Sequence, residues 1–167
     1  VFLVLTVHRV VGHRRGETGA QPAHRAAAGQ GHRVAAGELD GAGAAEARAL
    51  ILNSPSNPTG TVYTDEEMDR LASVCADRGL YLIADEVYHS LAYATTPPAP
   101  LAAHTATQQV LSIGSFSKIL APGLRLGWMT AAPQIVKRCV QSGVLDSGGG
   151  LNHFSAHVAA AFIELGL

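Results

Sequence analysis

Lysine is almost missing from this chain: 167 residues hold two, Lys118 and Lys137, so a reactive amine has only two candidates. Cysteine is equally scarce, and Cys75 and Cys139 lack any metal-ligand spacing. Both sit in periodic apolar segments and read as buried free thiols of a reducing compartment, which excludes a disulfide framework. Neither sign of charge dominates: the net charge is −1, which gives no electrostatic ground for a nucleic-acid or anionic-membrane partner. Long hydrophobic runs are lacking as well. Residues 1–7 are apolar but too few to span a bilayer, and no basic stretch precedes them as in a signal peptide. Glycine-rich dinucleotide, Walker and Gly-x-Ser-x-Gly patterns do not occur. A cytoplasmic location is the expectation.

The composition that is present, 47% hydrophobic and 15% charged, suits an α/β domain with a core. It is unevenly spread. Residues 8–48 are rich in Arg, His, Ala and Gly, with no lysine and no regular period. We expect residues 1–48 to be a poorly ordered Ala/Gly/Arg-rich segment, and one explanation is text read out of frame from a GC-rich gene. The lack of an initiator Met, and an end inside an amphipathic pattern at Leu165-Gly166-Leu167, suggest a piece of a longer protein.

From Ala49 the pattern becomes regular. Residues 49–53 form a short apolar run that ends in the turn-rich Ser54-Pro-Ser-Asn-Pro-Thr-Gly60, a strand entering a loop. Thr64 with Glu67 makes a capping box, Met68, Leu71, Ala72 and Cys75 make an apolar stripe, and Gly79 ends the helix. Residues 80–84 and 110–114 read as two more buried strands, residues 94–107 as a loop, and residues 124–130 as a fourth strand. Residues 132–144 and 153–165 read as helices, with a Gly-rich joint at 147–150. Strand–helix–strand order predicts an α/β fold, a mostly parallel sheet with flanking helices. Sites in such sheets gather beyond the carboxyl ends of the strands. Asn57 falls after the first strand, Asp85 and Tyr88 after the second, and Ser115, Ser117 and Lys118 after the third.

Each of these residues has a plain reading and a chemical one. Lys118 is either a snorkelling surface lysine or an amine activated by the apolar Ile119-Leu120-Ala121 and the cationic Arg125. Ser115, Ser117 and Arg125 are either turn residues and a surface arginine or a phosphate grip of hydroxyls and a two-pronged guanidinium. Asp85, at the end of a buried strand, is either a helix cap or the partner of a protonated ring nitrogen. Tyr88 and Asn57 are either a half-buried aromatic and a turn residue or donors to a ring oxygen. His153 and His157 stand at i and i+4 without a third ligand nearby, so no metal is expected.

Four motifs, Asn57-Pro-Thr-Gly60, Asp85-Glu-Val-Tyr88, Ser115-Phe-Ser-Lys118 and Pro122-Gly-Leu-Arg-Leu-Gly-Trp128, occur in one order. Together they resemble the class I/II aminotransferase family, the fold type I enzymes dependent on pyridoxal phosphate. The resemblance covers residues 49–167, which would be the central part of the large domain, with the C-terminal small domain outside the chain. It implies that Lys118 carries the cofactor as an internal aldimine and shuttles the catalytic proton. It also implies that Asp85 pairs with the pyridine nitrogen, that Tyr88 and Asn57 bond the 3-oxygen, and that Ser115, Ser117 and Arg125 hold the phosphate of pyridoxal 5'-phosphate. The substrates it implies are an amino acid and a 2-oxo acid, in a homodimer when full length, with neither nucleic acid nor membrane as partner. The Ser-Phe-Ser-Lys-Ile-Leu-Ala-Pro-Gly run resembles members acting on aminoadipate, kynurenine, or aromatic and branched amino acids. Other fold type I lyases or synthases, and the aminotransferase-like effector domain of a transcription regulator, share the same lysine pattern. The ring-stacking aromatic and the substrate-carboxylate arginine of the family have no counterpart here, so the chain by itself is expected to show weak or no turnover.

Overall fold

The computed structural model describes residues 2–6, 47–93, 96, 99–103, 108–146 and 152–166. The expectation for the Ala/Gly/Arg-rich segment therefore lies outside the described residues apart from its two ends, as does the Gly-rich joint at 147–150.

A five-stranded sheet forms the frame: β1 (Phe2–Thr6), β2 (Ala49–Asn53), β3 (Tyr81–Asp85), β4 (Val110–Ser115) and β5 (Leu126–Ala131), in the order β1-β5-β4-β3-β2. The α/β expectation holds, and the sheet is mixed. Strands β2, β3 and β4 run parallel, whereas β5 returns antiparallel to β4 and β1 pairs antiparallel with β5. The reason for the reversal is length. Only residues 116–125 separate β4 from β5, too few for the crossover of a dozen or more residues that a parallel return needs. Strand β1 arises from the apolar run 1–7, whose partner lies far along the chain.

Helix α1 (Asp65–Asp77) links β2 to β3. Its capping box forms as expected: the Thr64 N–H donates to Glu67 at 2.8 Å and the Glu67 N–H donates to the Thr64 hydroxyl at 3.3 Å. Two orphan donors at the helix start are thereby satisfied. Met68, Leu71, Ala72 and Cys75 pack with Leu52, Leu82, Ala84, Leu101 and Val110 into the main core. Each large side chain buried there contributes about 1.5–3 kcal/mol. Burial also pushes the Cys75 thiol up. Gly79 takes the left-handed conformation, φ 67°, that closes the helix.

The expected fourth strand begins two residues late. Pro122–Leu124 forms a 3-10 turn and Arg125 is left-handed (φ 54°, ψ 34°), so extended backbone starts only at Leu126. The expected helix 132–144 divides into α3 (Pro133–Val140) and α4 (Gly143–Asp146). The break at Gln141-Ser142-Gly143 places two weak helix formers in succession. The short helix α2 (Phe116–Ile119) follows β4, a 3-10 turn at Leu101–Ala103 precedes β4, and the longer α5 (His153–Glu164) follows α4.

Strand alternation sorts the side chains onto two faces. On one face lie the α1 core and a second cluster of Phe116, Leu126 and Ala159 with Trp128. On the other, Met129 and Ala131 meet Val136 of α3. Gly114 pairs with Trp128 across β4 and β5, and the indole stacks edge-on to Phe116 with centroids 4.9 Å apart. A methyl group on Gly114 would fall inside the Trp128 ring. Gly114→Ala is therefore expected to destabilise the domain by about 1–3 kcal/mol, the scale of core overpacking, read as a lower midpoint in urea unfolding.

Candidate functional site

All the candidate residues gather at one end of the sheet. Asn53 and Asp85 are the last, register-paired residues of β2 and β3. Ser115 closes β4 beside Gly127, which puts the turn bearing Arg125 at that same end.

The loop after β2 folds back on itself through Gly60 N–H to Ser56 carbonyl at 2.7 Å and Ser56 N–H to Thr61 carbonyl at 2.8 Å. This presents Asn57 toward the loop after β3, where its Nδ2 donates to the Tyr88 hydroxyl at 3.0 Å. The Lys118 Nζ stands 5.4 Å from the centroid of the same tyrosine ring, within the range of a cation–π contact. Asn57, Tyr88 and Lys118, drawn from three separate strand ends, thus meet. Lys118 itself is exposed. The burial expected from Ile119-Leu120-Ala121 is not seen: Ile119 and Leu120 pack against the Phe116 and Leu126 cluster instead.

Asp85 lies on the sheet face opposite α1, half-buried. Burial raises its carboxyl above the ordinary range, opposed by a hydrogen bond from the Val87 backbone. Its Oδ1 is buried and has no hydrogen-bond partner among the described residues. Such an oxygen is costly to leave unmatched. It suits a cationic N–H donor, and no side chain among the described residues supplies one.

Ser115 caps α2: its hydroxyl accepts from the Ser117 N–H at 3.1 Å and donates to the Leu126 carbonyl at 3.4 Å. A bond of that length is at the weak end, and the hydroxyl proton can turn to an anion without moving the oxygen. Ser117 is half-buried and Arg125 exposed, with one guanidinium nitrogen donating to the Pro122 carbonyl at 3.3 Å. Arg125 is the one non-glycine residue with positive φ among the described residues. A left-handed backbone costs about 1–2 kcal/mol outside glycine, and such strain is characteristic of functional positions.

Two further residues went unread in the sequence. Glu86, next to Asp85, points to the opposite face, where it is buried and accepts hydrogen bonds from the Ser112 hydroxyl and from the Leu101 N–H at 2.8 Å. It borders a cavity of about 350 Å³ with Thr130, Trp128 and His89. Asn53, half-buried, bonds to the end of β3 and to the loop after β2. His153 and His157 are exposed on α5, and no cluster of three metal-ligating side chains forms among the described residues. No described helix is long and apolar enough to cross a membrane.

The sequence model of the family "Aminotransferase class I and II" matches residues 27–164. The chain belongs to that family. The match begins inside the segment that the four motifs leave unassigned. Among curated relatives, valine–pyruvate aminotransferase of Mycobacterium tuberculosis is 43% identical over 94 residues, 56% of this chain and 24% of its own length. An uncharacterized HTH-type transcriptional regulator of Bacillus subtilis is 34% identical over 119 residues, 70% of this chain and 24% of its own. The crystal structure of the aminotransferase AspB from Helicobacter pylori superposes with a TM-score of 0.59 at 30% identity, over 66% of this chain and 31% of that one. The chain thus spans about a quarter of the length of the curated relatives it matches.

Proposed function

We propose that the intact gene product is a pyridoxal-phosphate-dependent aminotransferase that moves an amino group between an amino acid and a 2-oxo acid, with Lys118 as the covalent amine. The observation that carries this reading is Asp85 Oδ1, buried and unmatched among the described residues at the end of β3. A protonated pyridine nitrogen is a donor of the right charge for it. When bound, the cofactor supplies an electron sink for charge developing at the substrate α-carbon.

The residues of this chain bind and orient around that sink. Asp85 holds the proton on the ring nitrogen. Asn57 Nδ2 and the Tyr88 hydroxyl, already paired at 3.0 Å, are placed to share a ring oxygen between them. Lys118 Nζ, beside the Tyr88 ring, moves the proton at the substrate α-carbon. Ser115, Ser117 and Arg125 take the phosphate, and the strained backbone of Arg125 supports a role that a surface arginine would not need. The same proposal includes assembly as a homodimer in the cytoplasm.

The test is covalent. The intact gene product, supplied with pyridoxal 5'-phosphate, is expected to show a visible absorption band, and borohydride is expected to fix the cofactor to Lys118, located by peptide mass spectrometry. Attachment at Lys137, or none at all, would refute the reading. The B. subtilis regulator favours a second one, in which this domain senses an amino acid for a DNA-binding partner domain. Labelling at Lys118 without conversion of any amino acid to its 2-oxo acid would select it.

A further inference from the structure

We infer that Asn53 is a positioning residue that sets the distance between the two grips on the cofactor ring, an inference that rests on the cofactor reading above. Asn53 is the last residue of β2 and the register partner of Asp85. Its Nδ2 donates to the Asp85 carbonyl at 3.0 Å, and its Oδ1 accepts from the Asn57 N–H at 2.7 Å. Asn57 in turn donates through Nδ2 to the Tyr88 hydroxyl at 3.0 Å, and Tyr88 follows Asp85 by three residues. The bonds close a circuit: Asp85 backbone, Asn53 side chain, Asn57, Tyr88, and back to Asp85 along the chain.

The circuit joins a ring-nitrogen acceptor to a pair of ring-oxygen donors. Those groups would grip two different positions of one rigid ring, so an error in their separation would weaken both. Asn53 touches neither side itself. Few side chains fill its place. The position needs one acceptor and one donor on a short planar group. Aspartate lacks the donor, glutamine is a methylene too long, and serine has a single oxygen. A second donor to the Asp85 carbonyl, the Ser54 N–H at 3.2 Å, does not reach the Asn57 loop. Losing Asn53 therefore frees that loop while leaving the strand end bonded.

The alternative is a local bond that only stabilises a turn. A double-mutant cycle in the intact, cofactor-loaded protein separates the two, read by cofactor affinity and by the pH midpoint of the visible band. Donors to the ring oxygen draw on its negative charge. When they loosen, more charge remains to hold the neighbouring proton, and the midpoint rises. Asn53→Ala is expected to weaken cofactor binding about tenfold and to raise the midpoint by about half a pH unit. In an Asn57→Ala background the same change is expected to add less than about twofold, because its route to the ring is already cut. Should Asn53→Ala fail to fold, Asn53→Leu, which keeps the volume but removes both the donor and the acceptor, carries the same comparison. A midpoint and affinity unmoved by Asn53→Ala, or a shift fully additive with Asn57→Ala, would overturn the positioning role alone. A wild-type protein without the visible band would remove the cofactor reading, and this inference with it.

Discussion

Lys118→Ala in the intact gene product is expected to abolish the visible absorption of the bound cofactor and to lower transamination by about a millionfold, the scale seen when a covalent nucleophile is removed. Cofactor binding itself should survive, weakened, because Asp85, Asn57, Tyr88 and Arg125 remain. Lys137 cannot replace the lost amine. It stands exposed on α3, a helix that packs on Met129, Ala131 and Leu111, toward the other end of β4 and β5 from the candidate residues. Lys118→Arg adds a second arm. It keeps the charge beside the Tyr88 ring but supplies no nucleophilic amine, so its activity should be as low as that of the alanine variant. Spectra after dialysis against fresh cofactor, with single-turnover rates on an amino-acid donor, read both variants. Retention of the band in Lys118→Ala would show that the amine lies elsewhere. Recovery of activity in Lys118→Arg would show that only charge matters.

The parts of this site that were legible in the sequence share one property: they are polar groups at the ends of apolar runs. Asp85 after Leu-Ile-Ala, and Ser115 to Lys118 after Val-Leu-Ser-Ile-Gly, stand out because a buried strand has no other use for them. The capping box at Thr64 and Glu67 was legible because both partners lie three residues apart and act through side chains. What escaped depends on backbone or on distant partners. Asn53 exerts its effect on the Asp85 carbonyl and the Asn57 N–H, groups that every residue carries and no motif marks. Glu86 went unread because alternation sends it to the opposite face from Asp85, where its partners Ser112 and Leu101 lie far along the chain. The antiparallel return of β5 was implicit in the short connection after β4, but only once the strand boundaries were known. Strand β1 had no legible partner, because an isolated seven-residue apolar run carries no register of its own.

Asp85→Asn is expected to push stability and function in opposite directions. In the cofactor-free protein, burial raises the Asp85 carboxyl above its ordinary value of 3.8. Between the unfolded and the raised folded values, the native state binds more protons than the unfolded state. Stability therefore falls as pH rises through that window, and the ionised carboxylate remains a burden above it. Asparagine cannot ionise. Cofactor-free Asp85→Asn should thus melt higher than wild type at neutral pH and show a flatter dependence of melting temperature on pH across the window. Binding reverses the sign. A cationic ring nitrogen matched to Asp85 Oδ1 favours the carboxylate, so wild-type cofactor affinity should fall as pH drops through the carboxyl range, while the variant's should stay flat and weak. Turnover in Asp85→Asn should drop on the order of a hundredfold or more, the cost of breaking a partly buried charge pair. Paired measurements of melting temperature against pH without cofactor, and of turnover with it, decide the matter. A variant that is less stable than wild type without cofactor would mean that Oδ1 has a partner in the native protein. A variant with wild-type turnover would mean that the ring nitrogen finds its counter-charge elsewhere. The charge that burdens the cofactor-free fold is the same charge that would keep the bound ring an electron sink.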